Sequence, residues 1–266
     1  MKKPRKSKPV GVLTKTFHII ETLRSSASPL TLKDISELTG INKSTALRFL
    51  THLENERYVT RDSRAGYSVG ARLLQLGVRS TFHVNLLDAA RLPLQELWRV
   101  TQETVNLGVL DAIEVVYLDC IESPQSFRLV ASPGTRAVVY RTALGKAILA
   151  YLPQEQVAPV IASLTFQAFT PRTITSAAML RRELERVAQQ GYAIDDEESV
   201  LGVRCFAAPI FNQLREPVGA ISVSGPTARM TDENSPQIVT AIRLAAQEVT
   251  DRLPPAEPPY QTSVSS

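Results

Sequence analysis

Cysteine is scarce in this chain of 266 residues: there are two, Cys120 and Cys205, far apart. That excludes a disulfide framework and zinc-finger spacing, and it fits a reducing compartment. Histidine is nearly as rare, with His18, His52 and His83 all in the N-terminal third. A Cys–His catalytic pair around Cys205 would therefore have to borrow its base from a distant segment. No apolar run approaches the roughly 20 residues needed to span a membrane. The basic opening MKKPRKSKPVG is not followed by the apolar core of a signal peptide, so the chain is expected to stay in the cytoplasm. Nucleotide signatures are also missing. There is no GxGxxG, and GTRAVVYRTALGK lacks the spacing of a P-loop.

What is present is an ordinary globular composition, 44% hydrophobic and 21% charged, with a length that predicts two domains. The net charge of +4 hides an asymmetry. Residues 1 to 79 carry 15 Lys+Arg against 6 Asp+Glu, a net of +9, and the remainder nets −5. A basic third on an acidic remainder suggests a polyanion-binding module joined to a different kind of domain. The tail over residues 1–10 accounts for only part of this charge, because Arg48, Arg57, Arg61, Arg64, Arg72 and Arg79 lie beyond it.

Local signals order the first part. Val12 to Leu23 carries Leu13, Phe17, Ile20 and Leu23 at helical spacing, and SSASP breaks it. TLKD has the form of a capping box and opens a short helix with Ile35 and Leu38 inward, stopped by Gly40. Asn42 is a good N-cap for a helix reaching about Asn55. Tyr58–Arg61 and Tyr67–Val69 flank a polar turn with Gly66, a hairpin signal. Helix, helix, glycine turn, helix and hairpin within about 60 residues make a winged helix-turn-helix over residues 11–70. A linker helix is expected over 71–85, leaving the wing from Ala71 to about Arg79.

Beyond it, Leu86 to Thr104 reads as one helix interrupted near its start by Pro93. TVNLGVL, EVVYLDCI, FRLVA, AVVY, VRCFAAPIF and PVGAISVSG read as strands. ALGKAILAYL, PQEQVAPVIASL, SAAMLRRELERVAQQG and SPQIVTAIRLAAQEVTDRL read as helices. Strands and flanking helices in mixed order predict an α+β domain over 86–252, and residues 253–266 are expected to be disordered.

On a helical wheel, Ser44, Thr45, Arg48, His52 and Asn55 share one sector, and Ala46, Leu47, Phe49, Leu50 and Leu53 fall opposite. Short hydroxyls at the helix N-terminus followed by an arginine suit a helix laid in the major groove. Arg48 can fork onto a guanine edge. Lys43, Ser44 and Thr45 can take phosphate oxygens. His52 is placed for a phosphate or left exposed, and Arg61 and Arg64 of the wing for the DNA backbone or minor groove. One such helix reads only a few base pairs, so a dimer on a palindromic or pseudo-palindromic operator is expected.

With these residues placed, the chain resembles the IclR family of bacterial transcriptional regulators over roughly residues 10 to 252. LTLKDISELTGINKSTALRFLTHLENERYVTRDSRAGYSVGARLLQLG matches that family's winged helix; ALGKAILAYLP, GYAIDDEESVLGVRCFAAPIF and GAISVSGP match its effector domain. The resemblance implies a GAF-like mixed α/β effector domain, a homodimer or homotetramer, and control of a catabolic operon, by repression rather than activation, through a small organic acid. It also implies a ligand pocket at Ala143, Leu144, Asp195, Cys205, Ser222 and Ser224. Leu144 is bulkier than the residue in members with Gly-Ala there, which bears on ligand size.

The residue types agree with such a pocket. Ser222 and Ser224, two apart on a strand, point to one face and need partners. The start of the Ala143 helix offers free N–H groups to a carboxylate. Asp195 can accept a ligand hydroxyl. Other readings stay open: serines paired with backbone, Cys205 as a buried small hydrophobe, Asp195 to Glu198 as a charged loop. No bulky basic residue is expected in the pocket, which favours a small carboxylate with a hydroxyl or keto group. The competing class is a cysteine-dependent enzyme with Cys205 as nucleophile. Without a histidine in its own domain this reading is set aside. No enzyme activity, cofactor or metal is expected.

Overall fold

The chain falls into two compact units, residues 1–81 and 82–266. The computed structural model describes residues 11–254 apart from Ala27 and residues 74–80. The basic tail expected over 1–10, residues 74–80 of the expected linker helix and residues 255–266 lie outside the described residues. Among the described residues, no helix is long and apolar enough to cross a membrane.

In the first unit, caps set the helix boundaries. Helix α1 spans Gly11–Arg24. Thr31 and Asp34 form the reciprocal capping box that opens α2, Leu32–Thr39: Asp34 N–H donates to Thr31 Oγ1 and Thr31 N–H to Asp34 Oδ2. Gly40 ends α2 in the left-handed region at φ 68°, where a Cβ is unfavourable. Asn42 Oδ1 accepts the Thr45 amide at 2.9 Å and starts α3, Lys43–Asn55. Strands β1, Val59–Arg61, and β2, Tyr67–Val69, pair antiparallel as the wing, and Leu30 bridges to Tyr67. Ile19, Leu23, Ile35, Ile41, Ala46, Phe49, Leu50, Leu53, Val59 and Tyr67 form the core.

Two inward expectations are overturned, Leu38 and Leu47, and the apolar row of α1 is only partly buried. Leu13 and Phe17 are exposed, Phe17 by 63%, because the core meets only the later turns of α1 through Ile19 and Leu23. Leu38 is exposed, since α2 ends one residue later and meets the core through Ile35 and Leu32. Leu47, placed with the apolar side of α3, is 42% exposed. It lies about 60° from Ser44 on the wheel and borders the polar sector.

The second unit is a six-stranded antiparallel sheet in the order β5-β4-β3-β8-β7-β6. Helix α4, Thr81–Thr101, precedes it. It starts before the expected Leu86, runs through Pro93 and stops short of Thr104, because Gln102 turns left-handed at φ 55°. The strands are β3 Thr104–Asp111, β4 Glu114–Ile121 and β5 Arg136–Val138, then β6 Ala193–Asp196, β7 Val203–Phe211 and β8 Pro217–Pro226. Helices α5 Ala143–Leu149, α6 Gln154–Ser163 and α7 Ala177–Gln190 lie between β5 and β6, and α8, Ser235–Arg252, follows β8.

Alternation along the strands builds two different faces. Val105, Leu107, Phe206, Ile210, Ile221 and Val223 pack with Leu94 and Leu97 of α4 and Ile242 and Val249 of α8. The other face packs Ala207 and Ala220 against Leu144, Ala147 and Ile148 of α5 and Leu180 and Val187 of α7.

FRLVA is not a strand. Thr104 Oγ1 donates to the Leu129 carbonyl at 2.7 Å, so a side chain replaces a ladder bond there. AVVY divides into β5 and a 3₁₀ turn, Val139–Arg141. Strand β6, which carries no assignment from the sequence, pairs along β7.

Candidate functional site

The outward side of α3 carries Lys43, Ser44, Arg48 and His52 exposed and Thr45 half-buried. Ser44 Oγ donates to Asn42 Oδ1 at 3.0 Å, so its proton is committed to the cap. Arg48 lies 5.7 Å from the Phe49 ring centroid. In the wing, Asp62 Oδ1 accepts the amides of Arg64 and Gly66 at 2.8 Å each, which fixes the turn bearing Arg64. Arg61 sits over Tyr67 at 5.2 Å. Both wing arginines are exposed. Arg72 is engaged instead: it donates to the Glu56 carbonyl, pairs with the Glu56 carboxylate at 2.7 Å and covers Tyr58.

All six residues named for a ligand pocket, Ala143, Leu144, Asp195, Cys205, Ser222 and Ser224, line one cavity of about 310 Å³. Strand register explains why. Thr104, Ser224, Cys205 and Asp195 stand directly opposite one another on β3, β8, β7 and β6. Directly opposed residues share a face, so they form one polar row across four strands. The next row on that face begins with Asn106 and Ser222.

The serines pair with a side chain rather than with backbone. Asn106 Nδ2 donates to Ser222 Oγ at 3.2 Å and to Ser224 Oγ at 3.3 Å. Asp195 is buried in strand β6, with the loop after it folded back. Its Oδ1 accepts the amides of Glu198 at 2.8 Å and Ser199 at 3.2 Å. Burial raises its carboxyl above the usual range, against the lowering pull of Lys146.

Burial, with the neighbouring Asp195 charge acting the same way, pushes the Cys205 thiol up. A thiol held protonated is a poor nucleophile, which runs against the enzyme reading of Cys205. Burial likewise raises the Tyr117 hydroxyl on the same wall.

The expectation of a pocket without basic residues does not hold: Arg136 and Arg141 line the cavity. Arg136 is tied to Asp111 and Glu114. Arg141 lies over Phe169 at 4.1 Å from the ring centroid. Asn106, Tyr117 and Arg141 escaped the sequence reading. The available signal was a lone asparagine inside TVNLGVL and an arginine directly before the helix-capping Thr142.

Helix α5 forms the remaining wall. The Thr142 hydroxyl accepts the Gly145 amide at 3.1 Å, and the amides of Ala143 and Leu144 have no intrahelical acceptor. The helix is seven residues long and buried throughout. A Cβ on Gly145 would strike the backbone of Val139. Gly145→Ala is therefore expected to cost about 1–3 kcal/mol by overpacking, read as a lower urea midpoint. An unchanged midpoint would mean that the 139–141 turn yields freely.

Two family descriptions match, the IclR helix-turn-helix domain over residues 12–63 and the bacterial transcriptional regulator IclR C-terminal domain over 78–251. The chain is 32% identical to the HTH-type transcriptional regulator KdgR of Escherichia coli K12 over 245 residues, covering 92% of this chain and 93% of that one. It is 33% identical to the transcriptional repressor IclR of the same organism over 244 residues, covering 91% and 89%. The crystal structure of the Thermotoga maritima IclR superposes with a TM-score of 0.76 at 31% identity, covering 91% and 98%. A winged helix-turn-helix joined to an antiparallel-sheet domain, matched along nearly its full length, makes this chain a DNA-binding transcriptional regulator of the IclR family.

Proposed function

We propose that the protein represses a catabolic operon from the cytoplasm and responds to a small organic acid in the cavity beside α5. Lys43, Ser44, Thr45, Arg48, His52, Arg61 and Arg64 contact DNA. A homodimer or homotetramer presents α3 in pairs to a palindromic or pseudo-palindromic operator. The observation that carries the effector reading is that Ala143, Leu144, Asp195, Cys205, Ser222 and Ser224, from four separate segments, line one cavity with a polar floor. The cavity belongs to residues 82–266 and α3 to residues 1–81. The acid therefore acts on subunit arrangement rather than by covering the DNA surface. Its reach is its differential affinity for the two arrangements, about 1–3 kcal/mol.

The test is a thermal-shift panel of small carboxylates on the full chain, followed by release of a duplex selected from a random library. A ligand at a hundred times its dissociation constant adds about 2.7 kcal/mol of stability. Ser222→Ala combined with Ser224→Ala is expected to keep duplex binding and lose about 3 kcal/mol of acid affinity, two hydrogen bonds to a charged group. Unchanged affinity and unchanged release in a folded double variant would place the ligand elsewhere.

A further inference from the structure

Two residues that line the cavity, Arg141 and Asn106, each carry a buried atom with no hydrogen-bond partner, Arg141 Nε and Asn106 Oδ1. One is a cationic donor and the other a neutral acceptor. Leaving such groups buried and unmet costs free energy, so each calls for an explanation.

Neighbouring polar groups are already engaged. Asp195 Oδ1 holds two amides, Thr142 caps Gly145, Arg136 is bound by two carboxylates, and the serine oxygens take both protons of Asn106 Nδ2. Arg141 is held by its stack on Phe169, while its carbonyl accepts Ser199 Oγ at 2.5 Å. Among the described residues no carboxylate pairs with it. Asn106 is 2% exposed; its Nδ2 faces both serines, and Oδ1 is left as the acceptor.

We infer that the cavity selects a hydroxycarboxylate, with Arg141 anchoring the carboxylate and Asn106 Oδ1 accepting a hydrogen bond from the ligand hydroxyl. The inference rests on the effector reading above and narrows its ligand class. A guanidinium offers the fork that a carboxylate matches. A keto oxygen in place of the hydroxyl would set lone pair against lone pair at Asn106. Leu129, Ala131, Leu144, Val200 and Val203 supply the apolar walls that strengthen both contacts by excluding water.

The experiment uses the full chain and three matched series: lactate, pyruvate and lactamide; mandelate, phenylglyoxylate and mandelamide; gluconate, 2-ketogluconate and gluconamide. Calorimetry is expected to show at least one hydroxy acid binding about tenfold or more tighter than both its keto and its amide counterparts. Arg141→Gln should abolish the preference for acid over amide, and Arg141→Lys should restore part of it. Asn106→Ala should abolish the preference for hydroxyl over keto while acid over amide persists.

Tighter keto acids would mean that Asn106 turns its amide protons to the ligand, and would overturn the hydroxyl assignment. Acid preference surviving Arg141→Gln would remove Arg141 as the anchor. In either case, affinity still sensitive to the paired serine variant would leave the effector reading standing. No binding to the wild-type chain in any series would sink that reading and this inference together.

Discussion

Replacing Lys146 with methionine is expected to cost about 3–5 kcal/mol of folding stability at neutral pH, the scale of breaking a buried ion pair by removing one partner. Lys146 is 0% exposed on α5. Its Nζ lies 2.5 Å from Glu198 Oε1 and 3.6 Å from Glu183 Oε1. Glu183 also pairs with Arg186 at 2.8 Å. Among the described residues Glu198 pairs with no second cation, and its Oε2 has no partner. Burial raises the carboxyls of both Glu198 and Asp195 above the ordinary range, and Lys146 pulls both down.

The sign with pH follows. These folded-state carboxyls bind protons more tightly than the unfolded chain does. Their contribution to stability is therefore full below the ordinary carboxylate pKa and falls as pH rises through the raised folded values. Removing Lys146 raises those values further, so the deficit should be larger at pH 8 than at pH 5. Urea unfolding of the wild type and Lys146→Met at both pH values checks this. Adding Glu198→Gln should recover part of the loss at pH 8, because the orphaned charge goes with it. A deficit under 1 kcal/mol, or one equal at both pH values, would mean that water reaches the pair and screens it.

The features that sequence conveys best here are those set by a few adjacent residues. Thr31, Gly40, Asn42, Ser176 and Gly191 sit at the helix ends where their chemistry places them. EVVYLDCI and VRCFAAPIF are strands over the spans their apolar content suggests. What escapes depends on partners distant in the chain. AIDD carries two aspartates in four residues and gives no strand signal. It is an edge strand whose Asp195 stands opposite Cys205. FRLVA is apolar but finds no ladder.

The cavity shows the same division. Its six named residues came with the family resemblance. Asn106 meets Ser222 and Ser224 only through the β3–β8 register, across more than a hundred residues of chain. Arg141 looks like an ordinary loop cation until the 139–141 turn and Phe169 hold it against the wall. In α3 the wheel separated Phe49, Leu50 and Leu53 from Ser44 and Arg48 correctly, yet misplaced Leu47 at the border. A sequence pattern fixes which sector is apolar but not how much of it the neighbouring helices cover.

Arg48→Ala is expected to lose about 1–3 kcal/mol of affinity for a selected duplex and to relax base preference at one position per half-site. Arg48 is exposed about one turn beyond Ser44, on the same side of α3. Among the described residues it has no acidic partner to compete with a guanine edge. Lys43, also exposed, is the first residue of the helix, where side chains reach the DNA backbone more readily than the groove floor. Lys43→Ala should weaken selected and scrambled duplexes alike and lower the slope of log affinity against log salt by about 1. Fluorescence anisotropy with both duplexes at four salt concentrations separates the two effects. If Arg48→Ala weakened both duplexes equally, with the salt slope falling as for Lys43→Ala, Arg48 would be a phosphate contact. The base-reading face of α3 would then have to lie elsewhere on the helix.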